Sequence, residues 1–410
     1  MHTSRNLLHA QKACTRYRSV SEVGLPEAVL RHSQRNYATH NRNVQIQNRE
    51  HPALQQSANI SHTMNGKAKQ LLCPKVRSVS FIQYRGNQTQ ASVTTTPVFD
   101  NSALKYEHMH TLPFSSAMGA EVTGVDLSMF SDSDIDSSCT WSDSHKHDVF
   151  QEIRQALFRH KMLFFRNQVN LTHVHHQHFA SLFGPFAKDA YPSTIHGCEH
   201  VKPVIKEAHT HVRMVFGSGW HTDSPFLAGP PHITTLRSVC VPPYGGDTIF
   251  ANTSLAYSTL SETMQCVIEP LMVRMSLKDV LAQAQVDAGD DETTPLGRLA
   301  ATKYKGVSAD VLQGVRGTLH RLVGVHPVTW EKALFVDGTY TAGIDGMSDL
   351  ESRAIVVFLL QHITQPAYTC RLRWEKDMLV IWDNRLCIHQ AMNDYDGHRR
   401  ELYRTTNRCV

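Results

Sequence analysis

No two cysteines in this 410-residue chain have CxxC spacing, and the nine present, from Cys14 to Cys409, are odd in number and scattered. That argues against a disulfide framework or a structural zinc site, and for a reducing compartment, cytoplasmic or mitochondrial. No run of about 18 apolar residues occurs, so nothing reads as a membrane span. An excess of one charge is also missing. The net +4 is spread over the chain, with most of it near the N-terminus, and makes no nucleic-acid footprint. No strand–helix–strand rhythm recurs, which argues against a wound parallel sheet. What is present is a hydrophobic share of 41% and 8% aromatics, enough for a large buried core.

Acids are scarce at the start of the chain, with only Glu22, Glu27 and Glu50 before Asp100. Residues 1–103 are rich in Gln, Asn, Ser, Thr and His, and low hydrophobicity with net charge predicts a disordered extension. The first twenty residues contain Arg5, Lys12, Arg16 and Arg18 and no acid, which also fits a mitochondrial transit peptide. Residues 104–410 are expected to hold one folded domain.

Within that domain, Leu112–Phe114 and Gly119–Leu127 alternate like a strand pair around a turn. Residues 129–147 read as a surface loop, and Asp148–His160 as an amphipathic helix striped by Phe150, Ile153, Ala156 and Leu157. Met162–Phe165 reads as a buried strand, and Thr172 as the cap of a second helix. That helix holds His173, His175, His176 and His178 but no carboxylate, so it is expected to be a solvated face rather than a metal site. Strands follow at Ile233–Val241, Asp247–Asn252, Ala333–Val336, Tyr368–Trp374, Asp377–Trp382 and Glu401–Thr405. Residues 275–320 form a polar insertion, placed to serve as a lid or as a plain surface excursion. Ser348-Asp349-Leu350-Glu351 is a capping box opening a helix to about His362. Many strands and few helices predict a mainly β architecture with flanking helices, a double-stranded β-helix or jelly roll.

The candidate chemistry lies in Gly217-Ser218-Gly219-Trp220-His221-Thr222-Asp223. On an extended strand, residues two apart share a face, so His221 and Asp223 could converge on one point. His389, after Trp382-Asp383-Asn384-Arg385, is the candidate third ligand. Two histidines and a carboxylate with open positions opposite suit non-haem Fe(II) oxygenases. Arg400 and Arg404, four apart on a strand, share a face opposite to Arg399, and paired guanidiniums near a metal suggest carboxylate ligands.

These stretches, with Gly245-Gly246-Asp247-Thr248, Lys332-Ala333-Leu334-Phe335-Val336 and His362-Ile363-Thr364, resemble the TauD/TfdA family of Fe(II)- and 2-oxoglutarate-dependent dioxygenases, above all its taurine dioxygenases, over residues 108–407. The resemblance implies that His221, Asp223 and His389 bind Fe(II), and that Thr248 and Arg400 anchor the 2-oxoglutarate carboxylate. It also implies that Arg404, Lys188, Tyr191 and Tyr340 line the pocket of a small anionic substrate. The implied reaction consumes O2 and 2-oxoglutarate, hydroxylates that substrate and releases succinate and CO2. Lys188 and Gly217 replace a His and an Asn found in taurine-specific members, which favours another sulfonate, a sulfate ester or a carboxylate. A zinc hydrolase remains open at this point, as does an inactive jelly-roll binding protein. The oligomeric state is open too, a homo-oligomer included.

Overall fold

Strand β3 (Met162–Phe165) shows how the core is divided. All four of its residues are buried, because it is covered on both faces. Met162 and Phe164 enter the cluster with Phe250, Leu372 and Cys387, whereas Leu163 and Phe165 pack with Phe150, Ile153, Leu157 and Phe179. The two-residue period of a strand sends alternate side chains into two different cores. A strand that must fill both carries no polar residue.

The computed structural model describes residues 99–130, 143–187, 195–210, 217–282 and 309–408, all within the unit Thr89–Val410. The remaining strands are β1 (His110–Pro113), β2 (Ala120–Thr123), β4 (Lys202–Lys206), β5 (Ile233–Cys240), β6 (Thr248–Asn252), β7 (Met272–Met275) and β8 (Thr318–Arg321). They continue with β9 (Val323–Val325), β10 (Lys332–Leu334), β11 (Thr341–Ile344), β12 (Thr369–Leu372), β13 (Leu379–Asp383), β14 (Cys387–Ala391) and β15 (Arg400–Asn407). A seven-stranded sheet runs β1-β2-β3-β13-β5-β15-β4, and a three-stranded sheet runs β12-β6-β14. Only β2 and β3 pair in parallel among the described strands. Val380, Leu236 and Leu402 of the large sheet meet Phe250, Cys370 and Leu372 of the small one, forming the inter-sheet core of a jelly roll. The other face of the large sheet is covered by two helices, α1 (Ser144–His160) and α2 (His173–Ser181).

Helix α1 begins at Asp143, whose carboxylate accepts from the amides of His145 and Lys146. It ends at Lys161, which takes the left-handed conformation at φ 68°. Its buried stripe of Val149, Phe150, Ile153, Ala156 and Leu157 faces the sheet. Each of the larger side chains contributes roughly 1.5–3 kcal/mol when fully buried, so Ile153→Asp, which would also bury a charge, should break this packing. The helix starts earlier than its apolar stripe because its first turn is polar and is held by the cap alone.

Helix α2 has the expected Thr172 cap, reinforced by His175 in a capping box. The expectation of a solvated histidine face is corrected at His176. That residue is fully buried, and its Nε2 lies 2.6 Å from Thr235 Oγ1. Further helices are α3 (Thr253–Ser258), capped by Asn252, α4 (Glu262–Ile268), α5 (Ala309–Arg316) and α6 (Asp349–Ile363). The Ser348/Glu351 capping box opens α6 as expected.

Three expectations meet the boundary of the described residues. The import reading falls on residues outside them, and so does the centre of the 275–320 insertion. The ends of that insertion are joined by the β7–β8 pair, with Met275 opposite Thr318. The fold also begins before residue 104. Asn101 is buried, donating to Ser115 O at 2.6 Å and Gly119 O at 2.9 Å.

Candidate metal centre and co-substrate pocket

His221 is not on a continuous strand. It makes one isolated bridge to His389, with reciprocal amide-to-carbonyl bonds of 2.9 and 2.8 Å, and the chain then turns at Ser224, φ 44°. Convergence with Asp223 therefore comes from a bridge and a turn rather than from strand periodicity. Gly217, at φ 82°, precedes this bridge, and a Cβ there would lie 2.9 Å from His221 Cε1.

One ligand atom from each of His221, Asp223 and His389 lies within 4.8 Å of the other two, and all three residues are buried. His221 Nδ1 is 2.8 Å from Gly219 O. A carbonyl only accepts, so the proton sits on Nδ1 and the Nε2 lone pair is left for a metal. His389 packs beside Trp382 and Phe250, and its Nδ1 is buried without a hydrogen-bond partner. Burial, and then the neighbouring His221, push its pKa well below the usual imidazole range, which keeps it neutral and able to ligate.

Asp223 is enclosed, and burial alone would raise its pKa. Arg404, His389, His221 and Thr234 outweigh that, and the carboxyl is held below the usual range, hence ionised. Its Oδ1 accepts from Arg404 Nη1 at 2.8 Å and its Oδ2 from Thr234 Oγ1 at 2.6 Å. Two imidazoles and a buried carboxylate make a donor set suited to a divalent first-row metal.

Arg400 approaches from β15. It is buried, its Nε donates to Gly246 O at 3.1 Å, and its Nη2 has no hydrogen-bond partner. A buried guanidinium donor left unmatched is costly unless an anion arrives to accept it. Trp374 connects Arg400 to Thr248. Its ring lies 5.7 Å from the Arg400 guanidinium carbon, and its Nε1 donates to Thr248 Oγ1 at 2.9 Å. With its oxygen accepting from the indole, the Thr248 hydroxyl has its own proton available to a ligand. Gly245 and Gly246 make the turn into β6. At Gly245, φ 71°, a Cβ would lie 2.5 Å from Asp394 O, so no larger residue fits.

The structure thus brings together His221, Asp223 and His389, and it joins Thr248 to Arg400 through Trp374. Tyr340 lies beside His221, ring centroids 6.4 Å apart. Arg404 contacts the Asp223 carboxylate directly. Lys188 and Tyr191 lie outside the described residues. Sequence reasoning missed Asp337, buried behind the bridge, whose oxygens accept from the amides of Thr222, Thr339 and Tyr340. It also missed Trp374, Thr234 and Asn384. The Trp382-Asp383-Asn384-Arg385 motif was the available signal for the last of these.

In this jelly roll two histidines and an aspartate converge on one buried point, with buried Arg404 and Arg400 on the neighbouring strand β15, an arrangement that fits the non-haem oxygenase class. The family model for the taurine catabolism dioxygenase TauD, TfdA family matches residues 123–406, and the chain belongs to that family. The alkylsulfatase of Acinetobacter baylyi is 31% identical over 290 residues, covering 70% of this chain and 81% of that protein. The alpha-ketoglutarate-dependent sulfate ester dioxygenase of Pseudomonas putida is 31% identical over 295 residues, covering 72% and 87%. A taurine dioxygenase structure from Burkholderia xenovorans superimposes with a TM-score of 0.55 at 31% identity, covering 74% of this chain and 92% of that one. This chain is a 2-oxoglutarate-dependent dioxygenase, using 2-oxoglutarate and O2. No helix among the described residues is long and apolar enough to cross a membrane.

Proposed function

We propose that His221, Asp223 and His389 hold Fe(II), that Thr248 and Arg400 hold the distal carboxylate of 2-oxoglutarate, and that the primary substrate is a small organic anion, a sulfate ester first. The observation that carries the metal assignment is the convergence of three buried ligand atoms within 4.8 Å. The unmatched Arg400 Nη2 supports the co-substrate anchor. Sulfate esters come first because the two relatives described above are named for sulfate-ester chemistry.

Ferrous iron bound at these ligands, together with 2-oxoglutarate and O2, supplies oxidative decarboxylation to succinate and CO2 and transfer of one oxygen atom to the substrate. The protein's part is placement. Arg400 and Thr248 orient the co-substrate by a charge-assisted pair plus a hydroxyl, geometry that a carboxylate matches and a neutral group does not. Arg404 and Tyr340 border the position for the substrate anion, and the family resemblance assigns Lys188 and Tyr191 to substrate binding as well. A hydroxyl added to the carbon bearing a sulfate leaves that carbon with two oxygens, and it collapses to an aldehyde and inorganic sulfate without a general base.

The test is succinate release screened over alkyl sulfates, alkyl sulfonates and aryloxy carboxylates. Substrate-dependent succinate with alkyl sulfates, matched by sulfate release, is the expected result. Hydrolysis by a zinc enzyme would free sulfate with 2-oxoglutarate unconsumed, and a binding protein would release neither product.

A further inference from the structure

Trp382 and Asn384 are buried beside the metal ligands, yet neither takes part in the chemistry proposed above. Their hydrogen bonds run in a single direction. An indole N–H only donates. Trp382 Nε1 lies 2.9 Å from Asn384 Oδ1, so the amide is oriented with its oxygen toward the indole. That turns Nδ2 toward Thr234 Oγ1, 2.8 Å away. A hydroxyl has one proton, and Thr234, accepting from Asn384, directs it to Asp223 Oδ2 at 2.6 Å. Reversing any link would leave a donor facing a donor.

The backbone locks this chain of bonds in register. Trp382 of β13 sits opposite Thr234 of β5, and Asn384 N donates to His232 O at 2.8 Å. Trp382, Asn384, Thr234 and Asp223 are each no more than 2% exposed, so water does not compete for the links. With Arg404 on Oδ1 and Thr234 on Oδ2, both oxygens of Asp223 have an assigned donor and the plane of the carboxylate is fixed.

We propose that Asn384 and Thr234 are positioning residues, and that the relay from Trp382 through Asn384 and Thr234 holds Asp223 in its metal-ligating orientation. This rests on the assignment of Asp223 as a metal ligand, and it adds what keeps that ligand in place. Partners of this kind orient ligands that would otherwise rotate, and losing one typically weakens metal affinity about 10- to 100-fold.

The experiment is titration of the metal-free, full-length protein with Mn(II), reading free Mn(II) by electron paramagnetic resonance without 2-oxoglutarate. Wild type is expected to bind one equivalent and Asp223→Ala none, which tests the ligand assignment by itself. Thr234→Val removes the hydroxyl while keeping the shape, and should weaken Mn(II) binding at least about tenfold. Thr234→Ser should restore it to near wild type. Asn384→Asp replaces the amide donor with an acceptor that competes for the Thr234 proton, and gives a second variant with the same expected loss. Retained fold is checked by circular dichroism. Wild-type affinity in either Thr234→Val or Asn384→Asp, or failure of Thr234→Ser to restore binding, would overturn the relay while leaving the ligands standing. A wild type that takes up no Mn(II) would overturn both.

Discussion

His221 and His389 face one another across a single reciprocal bridge, and their rings lie 4.1 Å apart, centroid to centroid. Two imidazoles this close and this buried would repel if protonated. Burial and His221 keep His389 neutral and able to ligate. The same backbone bonds that set the bridge therefore set the spacing of the two imidazoles. Small perturbations of the loop before His221 should be felt at the metal.

Gly217→Ala tests that link. The residue has φ 82°, and its new methyl would meet His221 Cε1 at 2.9 Å. Backbone strain of roughly 1–3 kcal/mol is expected, and the ring must shift to relieve the contact. Mn(II) affinity should fall about tenfold or more with a lowered melting midpoint, measured by titration and calorimetry.

Arg400→Ala should act on the co-substrate. A hydrogen bond to a charged group is worth about 1.5–3 kcal/mol, so the KM for 2-oxoglutarate should rise by roughly 10- to 150-fold with metal binding retained. Arg399→Ala is the control. Arg399 is exposed and paired with Glu207 and Glu401, and its loss should leave that KM unchanged.

Trp374→Phe should have a smaller effect of the same kind. Without the indole donor, Thr248 loses the bond that orients its hydroxyl. A neutral bond contributes about 0.5–1.5 kcal/mol, so the KM for 2-oxoglutarate should rise by roughly two- to tenfold. Isothermal titration with 2-oxoglutarate under anaerobic conditions reads this independently of turnover.

How much of this was legible in the sequence depends on the range of the interactions. The stripe of α1 and the Ser348/Glu351 cap are local patterns and were readable, as were His221, Asp223 and His389 as chemical types. Strand β14, which carries His389, was not expected. It starts just after the Asp383–Arg385 turn, and Cys387-Ile388-His389-Gln390-Ala391 has neither a β-branched run nor a clean apolar–polar alternation for a periodicity reading to register. The bridge at His221 and the Trp382–Thr234 register arise from pairing distant segments, which no local window encodes. The buried His176 was missed because the histidines around it in α2 hid a position that turns inward with Phe179 and Ala180 and meets Thr235 of β5.

Acid stability follows from two buried histidines. Burial, then Arg237 and His173, lower the His176 pKa to about 3. Burial, then Arg159 and Lys161, lower that of His160 to about 4. The unfolded chain takes up these protons below about 6.5, while the native state refuses them until much lower pH. Unfolding therefore gains protons as pH falls, and stability present above 6.5 is lost through the window down to 4 and then 3. Each histidine contributes a slope of up to about 1.4 kcal/mol per pH unit. Urea unfolding from pH 6.5 to 5 should show this, and His176→Gln should flatten the slope by one proton's share. Parallel slopes would contradict it.

The most direct measurement is anaerobic addition of 2-oxoglutarate to the Fe(II)-loaded protein, followed by visible absorption. Chelation of iron by the co-substrate at the His221/Asp223/His389 site predicts a charge-transfer band that saturates at one equivalent and is absent from Asp223→Ala. No band in the wild type, or an undiminished band in that variant, would contradict the assignment of these three residues.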